Sequence, residues 1–188
     1  MGGEKAMAIR NLRYQGDPIL TKKTKEVKEI TPNIKQLIGD MLDTMYENNG
    51  VGLAAPQVGV LRKIAVIDIG DGPHVFVNPK IVAKDGSQTG DEGCLSVPGK
   101  TGTVTRPNYV KTVAFDENMN EFEIEGTELF ARAMCHEFDH LDGHLYVEKV
   151  EGELRDVTYA DADEEEEEIS EETDETQTEA ADGAGEEA

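Results

Sequence analysis

The chain has 188 residues with 40 Asp and Glu against 18 Lys and Arg, so its formal net charge is −22. Residues 161–188 hold 15 of the acidic residues and none of the basic ones, which leaves residues 1–160 as a mildly acidic body of typical single-domain length. No apolar stretch has the length of a membrane helix or the form of a secretory signal, so we expect a cytoplasmic protein. The negative net charge argues against general nucleic-acid binding.

The first predicted element is an amphipathic helix at about residues 32–48. Apolar side chains recur at three- and four-residue steps from Ile34 to Tyr46, which is the pattern of one buried helix face. Thr31 is a suitable N-cap and Pro32 suits the first helical position. The Asn-Asn-Gly sequence at residues 48–50 ends the helix. We interpret the apolar stripe as core packing.

The middle of the chain is predicted to form strands. Short apolar or alternating runs are separated by turn residues at 70–72 and by a hairpin-type loop at 116–120. The predicted strands are residues 63–69, 74–77, 81–83, 109–115 and 121–125.

A second helix is predicted from Glu128 to Asp142, between the N-cap Thr127 and the terminating Gly143. A helix, then several strands, then another helix indicates an α+β fold rather than an alternating α/β fold. We predict a single catalytic domain at residues 1–160. Residues 161–188 are rich in Glu and Asp and too poor in apolar side chains to form a core, so we predict a disordered acidic tail there.

The strongest functional pattern is His136-Glu137-Phe138-Asp139-His140, an H-E-x-x-H sequence on the second predicted helix. Helical residues four apart are separated by about 40° around the axis and about 6 Å along it, so both imidazoles point toward the same place. There they can bind one metal ion, with Glu137 beside them to take a proton from water. The pattern predicts a metal-dependent hydrolase.

A catalytic metal site of this kind usually has three protein ligands and an open position for water. Cys94 is the strongest candidate for the third ligand, because a thiolate binds Zn²⁺ and Fe²⁺ well. Cys135 is a rival, but it points about 100° away from His136 and is expected to pack in the core. We interpret His144, after the terminating glycine, as a surface histidine and His74 as a partly exposed strand residue.

Three segments carry a resemblance to a known family. Residues 50–57 read Gly-Val-Gly-Leu-Ala-Ala-Pro-Gln, residues 92–96 read Glu-Gly-Cys-Leu-Ser, and residues 136–140 read His-Glu-Phe-Asp-His. In this order and at these separations they resemble the three signature motifs of the peptide deformylase family. The resemblance covers about residues 9–150. It implies that family's α+β fold, in which antiparallel or mixed sheets pack around the C-terminal H-E-x-x-H helix and an amphipathic helix lies near the N-terminus.

The resemblance implies a cytoplasmic hydrolase that removes the N-formyl group from the N-terminal methionine of newly synthesised polypeptides and releases formate. By this resemblance Cys94, His136 and His140 ligate one divalent metal ion, with Fe²⁺ expected and Zn²⁺, Ni²⁺ or Co²⁺ as alternatives. Metal-bound water attacks the formyl carbon, and Glu137 takes its proton and returns it to the leaving amine.

The same resemblance assigns the remaining site residues. The side-chain amide of Gln57 and the backbone N–H of Leu95 are expected to donate hydrogen bonds to the developing oxyanion. The substrate backbone is expected to lie as an added strand along residues 50–52, and apolar side chains are expected to hold the methionine. The implied substrate-binding residues are Gly50, Val51, Gly52, Leu129 and Ala133. For Leu129, plain core packing is a close alternative.

Two features depart from the family pattern. Thr101 stands where many members carry an Arg that contacts the peptide, and Lys100 is a candidate substitute for it. Bacterial members often end in a long helix that is sometimes basic, whereas this sequence becomes acidic after Arg155. We expect N-formylmethionyl nascent peptides as partners, with transient ribosome association that does not use a basic tail. We also expect no direct nucleic-acid binding, no membrane association and a monomer.

Two other functions fit parts of the sequence. A metallopeptidase, or an amidase acting on another small acyl group, would share the H-E-x-x-H helix. However, Tyr146 stands where the metzincin pattern requires a third histidine. A non-catalytic relative that binds a metal or a protein partner would use the acidic tail for interaction. The presence of both Glu137 and Gln57 favours the enzyme.

Overall fold

The computed structural model describes residues 8–157, so the predicted acidic tail lies outside the described residues. The described residues divide into two units, residues 8–154 and residues 155–157. The second unit includes the short strand Arg155–Asp156.

The described part of the first unit contains two helices, α1 (Pro32–Glu47) and α2 (Glu128–Asp142), together with seven strands and three short 3-10 helices. The strands are β1 (Gly52–Ala54), β2 (Ile64–Ile67), β3 (His74–Asp85), β4 (Gln88–Cys94), β5 (Val97–Arg106), β6 (Tyr109–Phe115) and β7 (Glu121–Thr127). The 3-10 helices are Pro18–Thr21, Ala55–Val58 and Tyr146–Glu148.

Five of the strands form one sheet in the order β1-β2-β3-β6-β7, and every neighbouring pair is antiparallel. Strands β4 and β5 form a separate antiparallel hairpin. Strand β1 is therefore at one edge of the larger sheet and β7 at the other. None of the described helices has the length and apolar character needed to cross a membrane.

The two helices cover opposite faces of the larger sheet. Successive side chains of β2 alternate between two apolar clusters: Ala65 and Ile67 pack with α2, whereas Ile64 and Val66 pack with α1. All four are fully buried, which explains why β2 is a continuous apolar run rather than an alternating one. Helix α2 also contacts the β4–β5 hairpin, because Glu92 of β4 pairs with its His136 and Arg106 of β5 with its Asp139.

The predicted helices agree closely with the structure. Thr31 caps α1 by accepting a hydrogen bond from the Ile34 backbone N–H at 3.3 Å. Gly143 ends α2 with a φ of 85°, in the left-handed region that glycine adopts without strain. The prediction for Thr127 was wrong in one respect, because its side chain makes no capping hydrogen bond.

The strand predictions needed three corrections, the first of which is that β1 (Gly52–Ala54) was not predicted as a strand. Residues 74–77 and 81–83 belong to one strand, β3, because a register shift between Val77 and Lys80 accommodates Asn78-Pro79 within it. Strands β4 and β5 were not predicted, since glycines at positions 90, 93, 99 and 102 interrupt any apolar alternation. These two segments form strands because they pair with each other, and their local sequence has no apolar alternation that would predict this. The α+β class itself is confirmed.

Candidate metal centre and active site

Three candidate ligands meet between α2 and the end of β4. The Nε2 atom of His140 lies 3.3 Å from Nε2 of His136 and 3.4 Å from Sγ of Cys94, and the three donor atoms lie within 4.8 Å of one another. The two histidines are on adjacent turns of α2, as the i, i+4 spacing predicts. One thiol and two imidazoles form a donor set that fits Fe²⁺ or Zn²⁺.

A buried carboxylate fixes the orientation of the first histidine. Glu92 Oε2 lies 3.0 Å from Nδ1 of His136, which leaves Nε2 of that ring facing the other two donors. Glu92 is itself held by Arg106, which donates through Nε at 2.9 Å and Nη2 at 3.0 Å, and by Arg132 at 2.8 Å. Arg106 also donates to Asp139 at 2.6 Å.

Burial and charge pairing shift the pKa values of these groups in different directions. Burial opposes the charged form of Glu92, but hydrogen bonds from Arg106 and His136 hold its pKa well below the usual range. Burial also opposes protonation of His136, yet its hydrogen bonds to Cys94 and Glu92 raise its pKa to about 10. Burial lowers the pKa of His140 well below its ordinary value, and the neighbouring His136 adds to this.

Glu137 has an unusual environment for a carboxylate. It is buried, its Oε2 atom has no hydrogen-bond partner among the described residues, and burial raises its pKa to about 7. Its carboxylate lies directly against Gly52, where an added Cβ would collide with the carboxylate atoms. A buried, unpartnered oxygen beside three converging ligand atoms is suited to exchange a proton with a bound water.

Gln57 is held in one orientation. Its Oε1 accepts a hydrogen bond from the Ala54 backbone N–H at 2.9 Å, so its amide Nε2 must point the other way. There Nε2 donates to the Ser96 hydroxyl at 3.1 Å and lies 3.5 Å from Cys94 Sγ. A buried amide donor therefore faces the candidate metal centre.

The predicted substrate-binding residues differ in exposure. Val51 and Leu129 are 46% and 49% exposed, whereas Ala133 is buried in the α2 core. The exposure of Leu129 contradicts the alternative of plain core packing. Gly50 precedes the edge strand β1, and an added Cβ there would lie 2.9 Å from the Leu95 side chain.

The other singled-out residues lie outside the cluster of ligands. Cys135 is buried in the core around α2, as predicted. His144 is exposed and pairs with Glu148 at 2.8 Å, and His74 is partly exposed at the start of β3. The Thr101 side chain is engaged within the protein, because its hydroxyl donates a hydrogen bond to the Glu92 backbone carbonyl at 3.1 Å.

Sequence reasoning did not find the charged network behind His136. Glu92 stands in a recognised motif, but the sequence assigned it no contact. Nothing in the sequence around Arg106 and Arg132 indicates that they form ion pairs with Glu92. Ser96 likewise stands in the motif without an assigned contact, although it fixes the Gln57 amide.

The fold and the centre together define a class of protein: an α+β hydrolase with an H-E-x-x-H helix and a Cys/His₂ donor set. The comparisons with known proteins narrow this class. The family model described as polypeptide deformylase matches residues 9–156. A peptide deformylase of Agathobacter rectalis is 68% identical over 158 residues, which are 84% of this chain and 100% of the relative. One from Lachnoclostridium phytofermentans is 61% identical over 163 residues, 85% of this chain and 100% of the relative.

Solved structures of peptide deformylases also superpose on this chain. A peptide deformylase from Legionella pneumophila superposes with a TM-score of 0.75 at 44% identity, covering 77% of this chain and 87% of that one. A peptide deformylase from Synechococcus elongatus, solved in complex with actinonin, gives 0.75 at 40% identity over 81% and 84% of the two chains.

This chain belongs to the polypeptide deformylase family. It is a metal-dependent hydrolase that removes the N-formyl group from nascent peptides. The family and activity predicted from the three motifs are confirmed.

Proposed function

We propose that Cys94, His136 and His140 hold one divalent metal ion, with Fe²⁺ as the native ion and Zn²⁺, Ni²⁺ or Co²⁺ as substitutes. The observation that carries this proposal is the convergence of their three donor atoms within 4.8 Å. When bound, such an ion acts as a Lewis acid that acidifies water and polarises a carbonyl. The Glu92 carboxylate holds the His136 ring in the tautomer that a metal ligand needs.

Glu137 is the proton carrier in this proposal. Its unpartnered Oε2 takes a proton from the water that attacks the formyl carbon, and it returns that proton to the amine nitrogen as the carbon–nitrogen bond breaks. The products are formate and a peptide with a free amino terminus. Gly52 leaves the space in which this carboxylate sits.

Gln57 and the backbone N–H of Leu95 stabilise the tetrahedral intermediate in this proposal. The anchoring of Gln57 Oε1 by the Ala54 N–H supports it, because the amide donor needs no reorientation during the reaction. Preorganised donors of this kind act most strongly where the surrounding protein excludes water, and Gln57 is buried.

The substrate is proposed to bind along the free edge that begins at Gly50, Val51 and Gly52. The position of β1 at the end of the sheet supports this, because its outer side can pair with an extended peptide. Val51 and Leu129, both exposed, and the buried Ala133 provide apolar surface for the methionine side chain.

Formate release from formyl-Met-Ala-Ser tests the proposal. Protein purified anaerobically with Fe²⁺ is compared with Glu137→Ala, and the metal content of both proteins is measured. We expect one metal ion per chain in both proteins and formate release from the parent alone. Activity of Glu137→Ala near that of the parent would exclude Glu137 as the proton carrier. Metal binding that survives Cys94→Ala unchanged would exclude the proposed ligand set.

We further propose that the enzyme acts in the cytoplasm as a monomer and associates transiently with ribosomes, because its substrates are nascent chains. Light scattering of the purified protein tests whether it is a monomer, and its co-sedimentation with ribosomes tests the ribosome association. A stable dimer, or the absence of the protein from ribosome pellets at low salt, would contradict them.

A further inference from the structure

The cations of the described residues fall into two groups. Several form ion pairs with neighbouring carboxylates, including Arg106, Lys111, Arg132 and Lys149. A second group has no ion pair with any described residue, and five of its members line two grooves of one surface. We call this surface the cationic band; it consists of Lys25, Arg62, Lys63, Lys80 and Lys84.

Backbone contacts keep the band together. Lys25 and Arg62 are bridged in parallel, and the Lys63 N–H donates to the Lys25 carbonyl at 2.9 Å. The Asn78 N–H donates in turn to the Lys63 carbonyl at 2.8 Å, which brings the following Lys80 beside it. All members of the band are exposed except Lys63, which is half-buried.

The band lines two concave regions. Lys63, Lys80 and Lys84 line a groove of about 380 Å³ behind α2. Two acidic residues also line this groove. Asp139 is paired with Arg106 and Lys149, and Asp142 is outnumbered by the three lysines, which leaves an excess of positive charge there. Lys25 and Arg62 line an adjoining groove of about 740 Å³, whose lining also includes two glutamates.

The groove behind α2 lies away from the metal centre. Cys135, Phe138 and Asp142 line it. At 100° per residue these three are centred about 150° around the helix from the two ligand histidines. A partner bound in the groove would therefore leave the substrate edge accessible.

We propose that the cationic band binds the phosphate backbone of RNA and docks the enzyme on the ribosome. The choice of RNA rests on the proposed function, because nascent chains emerge from an RNA-rich particle. Lysine and arginine side chains that form no ion pair with a described residue can displace the counterions of phosphates, which drives such binding. The two adjoining grooves suit a winding phosphate chain better than a flat lipid surface, where apolar side chains would also be expected.

The test compares three forms of the full chain. The band variant is Lys25→Gln/Arg62→Gln/Lys84→Gln. The control variant, Asn11→Asp/Asn118→Asp/Lys111→Gln, makes the same change in net charge outside the band. Each form is tested for co-sedimentation with purified bacterial ribosomes, binding of a fluorescent single-stranded RNA at several salt concentrations, and binding to phosphatidylglycerol vesicles. Formate release from formyl-Met-Ala-Ser is measured in parallel.

We expect the band variant to bind RNA and ribosomes roughly 10- to 100-fold more weakly at low salt, with the slope of log affinity against log salt reduced by about 2. The control variant should bind within about twofold of the parent, and all three forms should release formate equally.

Equal binding by the band variant and the parent would overturn the proposal, as would equal losses in both variants. Binding of the parent to vesicles but not to RNA would overturn it in favour of a membrane partner. A failure of the proposed function is separate, because it would appear as a parent that binds RNA but releases no formate.

Discussion

At position 52 the site requires a residue without a side chain. Gly52 lies in β1, 85 positions before Glu137 in the chain, yet its Cα faces the Glu137 carboxylate so closely that no side chain fits between them. The residue is therefore glycine because of a close approach, and its role is to leave the carboxylate in place.

Gly52→Ala should displace the Glu137 carboxylate and lower kcat for formyl-Met-Ala-Ser by roughly 10²-fold or more, as expected for a displaced general base. Metal content should not change, because the three proposed ligands are untouched. Gly90→Ala is the matched control, since its added Cβ would meet only the Arg132 side chain at 3.4 Å. Full activity of Gly52→Ala would show that the carboxylate position is not critical.

Gln57→Leu should lower kcat by roughly 10²- to 10³-fold with a smaller change in KM, because it removes a donor that acts mainly in the transition state. Ser96→Ala is the companion variant. It removes one partner of the amide but leaves the anchor at Ala54, so its loss of activity should be smaller. Steady-state kinetics of both variants check this order, and a greater loss in Ser96→Ala would contradict it.

At the scale of elements, α2 depends on the β4–β5 hairpin for the geometry of its histidines. Glu92 on β4 and Arg106 on β5 are both buried and joined by an ion pair, although the hairpin register places Arg106 opposite Gln88. Glu92 in turn holds His136 on α2. The attraction between the Glu92 and Arg106 charges offsets the free-energy cost of burying each of them. Removing one of the two therefore leaves an unpaired charge in the interior.

Arg106→Met should destabilise the fold by about 3–5 kcal/mol, the usual cost of breaking a buried ion pair. It should also weaken metal binding by roughly 10- to 100-fold, because Glu92 would lose the support that orients His136. Urea unfolding and metal competition measure the two effects. Lys111→Met is the control, since its ion pair with Glu123 is at the surface and contributes little to stability. Similar losses in both variants would argue against this network.

At the scale of the whole molecule, charge is distributed very unevenly. Residues 161–188 carry 15 of the 40 acidic residues, while the described residues include the cationic band. The net charge of −22 therefore says little about any one surface. The expectation of no direct nucleic-acid binding came from that total and stays a prediction, to which the proposed RNA binding by the cationic band is the alternative.

Deleting residues 161–188 should leave formate release from a free tripeptide unchanged and should leave ribosome association intact or stronger. The physical reason is that the deleted segment contains no basic residue to contact phosphate and carries a large negative charge that phosphates repel. Co-sedimentation with ribosomes, with the full chain as control, measures this. A clear loss of association on deletion would contradict the prediction.

The amino-acid sequence alone predicted what depends on local spacing. The two helices follow from apolar periodicity and capping residues, and the paired positions of His136 and His140 follow from helix geometry. The order of the three motifs was enough to predict the family and its reaction. Cys94 was a candidate from its chemistry alone.

The tertiary structure decided what depends on contacts between distant parts of the chain. Strands β4 and β5 form because each satisfies the backbone of the other, which no local apolar pattern encodes. The contact of Glu92 with Arg106 and the fit of Glu137 against Gly52 arise only when the hairpin, the edge strand and α2 meet. The cationic band likewise joins residues from three separate segments, and a sum of charges along the chain cannot show where they lie together.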